Sequence, residues 1–287
     1  LLALAGVDFS SLSKDEIKAG FKKTFETGIH GICFTPYTEG QSPGSIISEE
    51  QIRKRMDIIR PYTKWIRTFS CTDGNELIPG IAHEYGIKTL VGAWLGRDKS
   101  INKKEIENLI TVAQAGHADI VGVGNEVMYR KDLTEDELLG YMHQVKEQLP
   151  GVPMGYVDAY YEFANRPRIT EACDVILANC YPFWEGCNID YSLLYMKDMY
   201  YRAIIAGNGK NVIITETGWP NKGTAFGNSM PSFENAIRYF INANSWAAEE
   251  KIEMFNFSSF DEAWKVGSEG DVGAYWGIWD KNEKLKY

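Results

Sequence analysis

The chain alternates two hydrophobic rhythms. Short runs of apolar, mostly β-branched or aromatic residues occupy positions 31–37, 65–71, 89–95, 120–123, 153–159, 175–182, 212–216 and 253–260. Runs of that length with little polar alternation are what strands buried on both faces look like. Between them lie segments whose apolar residues return every three or four positions. Ile106, Leu109, Ile110 and Ala113 fall on one face of a helix predicted over 104–115, and Leu138, Tyr141, Met142 and Val145 do the same after Thr134.

Polar punctuation sets the boundaries. Ser13-Lys-Asp-Glu16, Ser48-Glu-Glu-Gln51 and Thr134-Glu-Asp-Glu137 each place a hydroxyl three residues ahead of Glu or Gln, the capping-box spacing. They predict helix starts, the first helix running to about residue 28 and the second to about 59. Gly86 closes a helix over 76–85, and further helices are predicted near 169–172, 191–206 and 233–248. Eight strands alternating with helices predict a parallel sheet, and eight is the number at which such a sheet closes into a (β/α)8 barrel. No linker or low-complexity stretch interrupts the pattern. Residues 1–287 are read as one α/β domain, with 1–28 an N-terminal segment and helix ahead of the first barrel strand.

In such a barrel catalytic groups collect where strands end. Val212-Ile-Ile-Thr215 runs into Glu216, and Ile120-Val-Gly-Val123 is followed by Gly124, Asn125 and Glu126. One such glutamate is as readily a helix-start acid; two, with amide, hydroxyl and aromatic neighbours, point to one site between them. The same rim would carry Tyr37, Arg67, Phe69, Trp94, Asp158, Tyr160, Tyr181, Trp184, Trp219, Asp261, Glu262, Trp264 and Lys265. It holds carboxylates and aromatics but no histidine, which argues against a Ser-His-Asp relay. Aromatic faces suit the C–H faces of pyranose rings, and paired carboxylates suit cleavage of glycosidic bonds. Carboxyl groups ~5–5.5 Å apart would retain anomeric configuration and ~6.5–9.5 Å would invert it. Sequence leaves that distance open.

Composition removes other classes. A net charge of −9 without a basic stripe excludes a nucleic-acid partner, and no apolar run approaches the ~18 residues of a membrane span. The four histidines are scattered, so no metal is expected. Gly122-Val-Gly124 lacks a third glycine, Val127 standing in its place, so no dinucleotide or other cofactor is expected. Asn256-Phe-Ser258 matches a glycosylation acceptor inside a predicted buried strand. The five cysteines are expected to be buried free thiols, with Cys180 and Cys187 the one pair that proximity would bridge. The apolar opening, residues 1–6, starts without Met and leaves open a removed signal segment, a trimmed chain or an excised domain.

Four motifs occur in order between about residues 31 and 284: Gly124-Asn-Glu-Val127, Asn179-Cys-Tyr-Pro-Phe183, Glu216-Thr-Gly-Trp-Pro220 and Phe260-Asp-Glu-Ala-Trp-Lys265. Together they resemble the family 17 glycoside hydrolases, β-1,3-glucanases and glucanosyltransferases on a (β/α)8 barrel. Residues 40–44 and Phe183-Trp-Glu185 are more similar to bacterial and fungal members than to plant ones. The resemblance implies that Glu126 is the general acid/base and Glu216 the nucleophile of a retaining enzyme. It implies that Asn125 holds a sugar 2-hydroxyl, that Tyr181 and Arg67 support Glu216, and that Glu262 and Lys265 form a pair behind the site. Tyr37, Asp158, Trp184, Trp219 and Trp264 complete the expected substrate-binding set. Phe34 and Phe69 stand where many relatives carry tyrosine. The expectation is a monomeric enzyme that is secreted, periplasmic or at the cell surface and hydrolyses β-1,3-glucan. Glucanosyl transfer at the same site is the alternative, and a non-catalytic glucan-binding barrel the alternative of another class.

Overall fold

A computed structural model describes residues 6–287; most of the apolar opening, residues 1–5, lies outside the described residues. Eight parallel strands close into a barrel in sequence order: β1 (Ile29–Cys33), β2 (Thr63–Arg67), β3 (Lys88–Ala93), β4 (Ile120–Asn125), β5 (Met154–Ala159), β6 (Val175–Asn179), β7 (Asn211–Thr217) and β8 (Met254–Asn256). The ring shuts where Gly31 and Ile32 pair with Phe255 and Asn256. Helix α1 (Lys14–Glu26) precedes β1, and α2 (Glu49–Ile59), α3 (Ile78–Glu84) and α4 (Lys99–Gln114) follow β1, β2 and β3 in turn. After β4 come α5 (Val127–Arg130) and α6 (Glu135–Gln148), and after β5 come α7 (Glu162–Asn165) and α8 (Pro167–Ala172). Then α9 (Ser192–Gly207), α10 (Phe233–Glu250) and α11 (Val266–Glu269) follow β6, β7 and β8. The architecture is the (β/α)8 barrel that the alternation of patterns predicts.

Ser13 and Thr134 form reciprocal capping boxes. Ser48 forms half of one: its Oγ accepts from the Gln51 amide, while the Gln51 side chain donates to Pro36 O and ties α2 to the loop after β1. Helix α4 begins at Lys99 rather than 104 because the Asp98 carboxylate accepts the Ser100 and Ile101 amides.

The strands end sooner than the apolar runs. β1 stops at Cys33 because the Thr35 amide turns to Ser259 Oγ and Pro36 has no amide hydrogen to donate. β2 stops at Arg67, and Ser70, Cys71 and Thr72 turn instead to the Glu105 carboxylate. β8 is three residues long because the Ser258 amide leaves its ladder for Trp276 O, the chain returning to β1 only where the Ser259 amide meets Cys33 O. All five cysteines are buried and free, so Cys180 and Cys187 are not bridged. No helix of the described residues is long and apolar enough to cross a membrane.

Candidate active site

Glu216 is the penultimate residue of β7 and is 6% exposed. A carboxylate that far from water must be hydrogen-bonded to stay charged. Arg67 Nη1 donates to its Oε1 at 2.5 Å, Asn179 Nδ2 to the same oxygen at 3.1 Å, and Tyr181 Oη to Oε2 at 2.7 Å. Arg67 projects from the end of β2, is 1% exposed, lies over the Phe69 ring and also donates to Asn125 Oδ1 at 2.7 Å. Burial, and then the Glu216 charge, push the Tyr181 phenol well above its usual range, so it serves as a neutral donor.

Glu126 follows β4 directly and is half-buried. Its backbone sits in the left-handed region at φ 50°, two residues after Gly124 at φ 83°, a conformation that costs a non-glycine residue about 1–3 kcal/mol. In this conformation the side chain reaches Asn179 at the end of β6, with the Glu126 amide still bonded to Val157 O at 2.8 Å. Burial first, then the charge of Glu216, raise its pKa to about 7.

The two acids meet at one nitrogen. Asn179, the last residue of β6, donates through Nδ2 to Glu126 Oε1 at 3.0 Å and to Glu216 Oε1 at 3.1 Å. The two oxygens therefore lie within about 6 Å of each other. The two N–H bonds of an amide diverge by about 120°, so well-directed acceptors on both stand about 5.3 Å apart. Thr215 Oγ1 donates to Asn179 Oδ1 at 2.8 Å and fixes which edge of the amide faces the acids. Asn179 opens the Asn179-Cys-Tyr-Pro-Phe183 motif, and its one legible signal is that it ends an apolar strand as Asn125 does.

Other expected residues take varied positions. Glu262 and Lys265 form a buried pair at 2.8 Å, with Lys265 Nζ 4.0 Å above the Phe257 ring. Burial opposes the Lys265 charge, but Glu262 and then Glu269 outweigh it, and its pKa is raised. Glu269, on α11, was not foreseen. Trp264 is exposed and bonded through Nε1 to Glu262, and its ring stands edge-on to Tyr37, building a wall beside β8 and β1. Trp94, also exposed, stands after β3 over the Arg130 guanidinium. Trp184 is half-buried against Phe183, Phe226 and Trp276.

Two expected substrate contacts do not reach the cleft. Asp158 is fully buried and bonded to Tyr156 and to the Tyr129 and Ala159 amides, because its side of β5 faces the helices. Trp219 is 4% exposed, packs on Phe183 and Tyr239 and donates to Met230 O. Phe34 likewise belongs to the hydrophobic core, with Ile47 and Ile52. Trp219→Ala is therefore expected to lower unfolding free energy by about 3–5 kcal/mol in urea titrations. A loss below 1 kcal/mol with weakened glucan binding would return Trp219 to the cleft. Among the described residues no group of His, Cys, Asp and Glu could hold a metal.

Comparison with known proteins places the chain. Residues 31–277 match the BtgE/BtgC glycoside hydrolase domain. A glucan 1,3-beta-glucosidase of Candida albicans is 29% identical over 81% of this chain and 83% of its own. A glucan 1,3-beta-glucosidase of Schizosaccharomyces pombe is 28% identical over 99% and 95%. The structure of the glycoside hydrolase family 17 β-1,3-glucanosyltransferase of Rhizomucor miehei superposes with a TM-score of 0.81 at 28% identity, covering 91% of this chain and 96% of that one. The chain belongs to the BtgE/BtgC glycoside hydrolase domain family, within glycoside hydrolase family 17, and is a glycosidase.

Proposed function

We propose that the protein cleaves β-1,3-glucan by double displacement, with Glu216 as nucleophile and Glu126 as acid/base. The observation that supports this most is the shared Asn179 amide, which brings one oxygen of each acid within about 6 Å of the other, toward the ~5–5.5 Å separation of retaining enzymes. In the first step a Glu216 oxygen bonds to the anomeric carbon as the glycosidic C–O bond breaks, and the Glu126 proton passes to the departing oxygen. In the second, an acceptor hydroxyl gives its proton to Glu126, its oxygen bonds to the anomeric carbon, and the Glu216 ester breaks.

The electrostatics fit both steps. The Glu216 carboxylate helps hold the Glu126 proton; once esterified it carries no charge, and Glu126 gives up its proton more readily and stands as the carboxylate that accepts one from the incoming hydroxyl. The sign of the pH dependence follows: protonated Glu126 is needed, so kcat/KM should fall as pH rises through about 7. A rate on laminarin that is flat from pH 6 to 9 would contradict the assignment. Trp94, after β3, and Trp264, after β8, offer exposed rings at the mouth, Arg67 and Tyr181 steady the nucleophile, and Asn125, held by Arg67 through its Oδ1, is the group to meet the sugar 2-hydroxyl. A polymer substrate places the enzyme where glucan is, secreted, periplasmic or at the cell surface.

The similarity to a glucanosyltransferase supports a second acceptor, a sugar hydroxyl in place of water. Incubation with laminari-oligosaccharides of one length, followed by mass analysis, decides: only shorter products mean hydrolysis, longer ones transfer.

A further inference from the structure

The turn that carries Glu126 is gripped from two sides by residues the chemistry above does not use. On the β5 side, Tyr156 Oη accepts the Met128 amide at 2.9 Å and donates to Asp158. Asp158 accepts the Tyr129 amide at 3.3 Å and the Ala159 amide at 2.7 Å. The two amides of α5 taken up here are ones its first turn leaves without helical partners. On the β3 side, Arg130 donates through Nη1 to Asn125 O and through Nη2 to Leu95 O at 2.9 Å. Its Nε donates to Asp132 at 2.7 Å, and its guanidinium lies 4.5 Å from the centre of the Trp94 ring. One grip fixes the residues just after Glu126 and the other the carbonyl just before it. A left-handed glutamate persists only where its surroundings over-determine it.

We propose that Arg130 and the Tyr156–Asp158 pair are positioning residues for Glu126, clamping its left-handed turn from the β3 and β5 sides. This rests on the reading of Glu126 as the acid/base. The clamps carry opposite charge. The groups that act on Glu126 are Glu216 on β7, Asn179 on β6, Asp158 on β5 and Arg130 on α5, with Arg67 on β2 paired to Glu216. Asp158 strengthens the hold of Glu126 on its proton and Arg130 weakens it. Burial first, against the Tyr156 and backbone hydrogen bonds, raises Asp158 to about 6, so it is charged where the enzyme's alkaline limb lies. Arg130 also holds Trp94 upright, linking the acid's turn to a ring at the mouth.

The test is the pH profile of kcat/KM on laminarin, with thermal melting to confirm folding. Asp158→Asn is expected to move the alkaline limb to lower pH and Arg130→Gln to higher pH, each on the order of half to one unit. Arg130→Lys keeps the charge, so its limb stays in place while kcat falls roughly three- to tenfold. Limbs that stay at the parent position in both charge-removing variants, or move the same way, overturn the proposal. If Asp158→Asn does not fold, Arg130→Gln decides alone, and a limb unmoved or lowered overturns it. Glu126→Ala with azide keeps the two readings distinct. Failure of azide to restore turnover of an aryl glucoside rejects the acid assignment itself, whereas normal rescue with unmoved limbs rejects only the clamp.

Discussion

Glu216→Gln is expected to cut kcat on laminarin by on the order of 10^4-fold or more while glucan still binds. Glutamine fills the same volume but offers a weakly nucleophilic amide oxygen and an NH2 group in place of one acceptor. Three donors, from Arg67, Asn179 and Tyr181, converge on this carboxylate, so the amide turns at least one N–H toward a donor. Arg67, 1% exposed, then loses its charge partner. Breaking a buried pair costs about 3–5 kcal/mol, so the variant should also unfold at lower urea concentration. Reducing-sugar release measured beside binding to insoluble glucan checks this. A variant retaining more than a hundredth of the parent rate would show that Glu216 is not the nucleophile.

Glu126→Gln is expected to lower kcat/KM on laminarin by about 10^2–10^4-fold. On an aryl glucoside whose leaving group departs without a proton, formation of the glycosyl-enzyme should be nearly unaffected. Equal losses on both substrates would contradict a role in protonating the leaving group. Stability should move the opposite way. Glu126 binds its proton more tightly in the folded chain, pKa about 7 against 4.5, so the native state holds more protons than the unfolded one between those values. Its contribution to stability therefore falls as pH rises from 4.5 through 7. Removing the carboxylate should leave stability unchanged near pH 4 and raise it by on the order of 1–3 kcal/mol at pH 8. Urea titrations at the two pH values measure the difference.

The barrel is legible in sequence because strands buried on both faces leave uninterrupted apolar runs, and the acids because each stands just beyond one. The same double burial hides which face of a strand looks inward. On β5, Val157 packs toward Gly122 inside the ring, so Asp158 must face out toward the helices, and nothing in Met154-Gly-Tyr-Val-Asp-Ala159 tells the two faces apart. The register shifts between Gly122 and Asn125 and between Ala178 and Asn179 are equally silent, yet both occur where the strands deliver site residues. Trp219 misleads for another reason. It follows the strand with the site's acid, but the loop folds back and buries its ring under Phe183. Arg130 and Glu269 sit on single-turn helices too short to leave a periodic pattern.

Retention of configuration depends on two carboxyl groups sharing one amide across a gap sized for a sugar carbon. Proton NMR of the first product released from laminari-oligosaccharide, recorded before mutarotation, reads this directly. A β-configured new reducing end is the predicted result; an α-configured one would mean single displacement and contradict the roles given to Glu126 and Glu216.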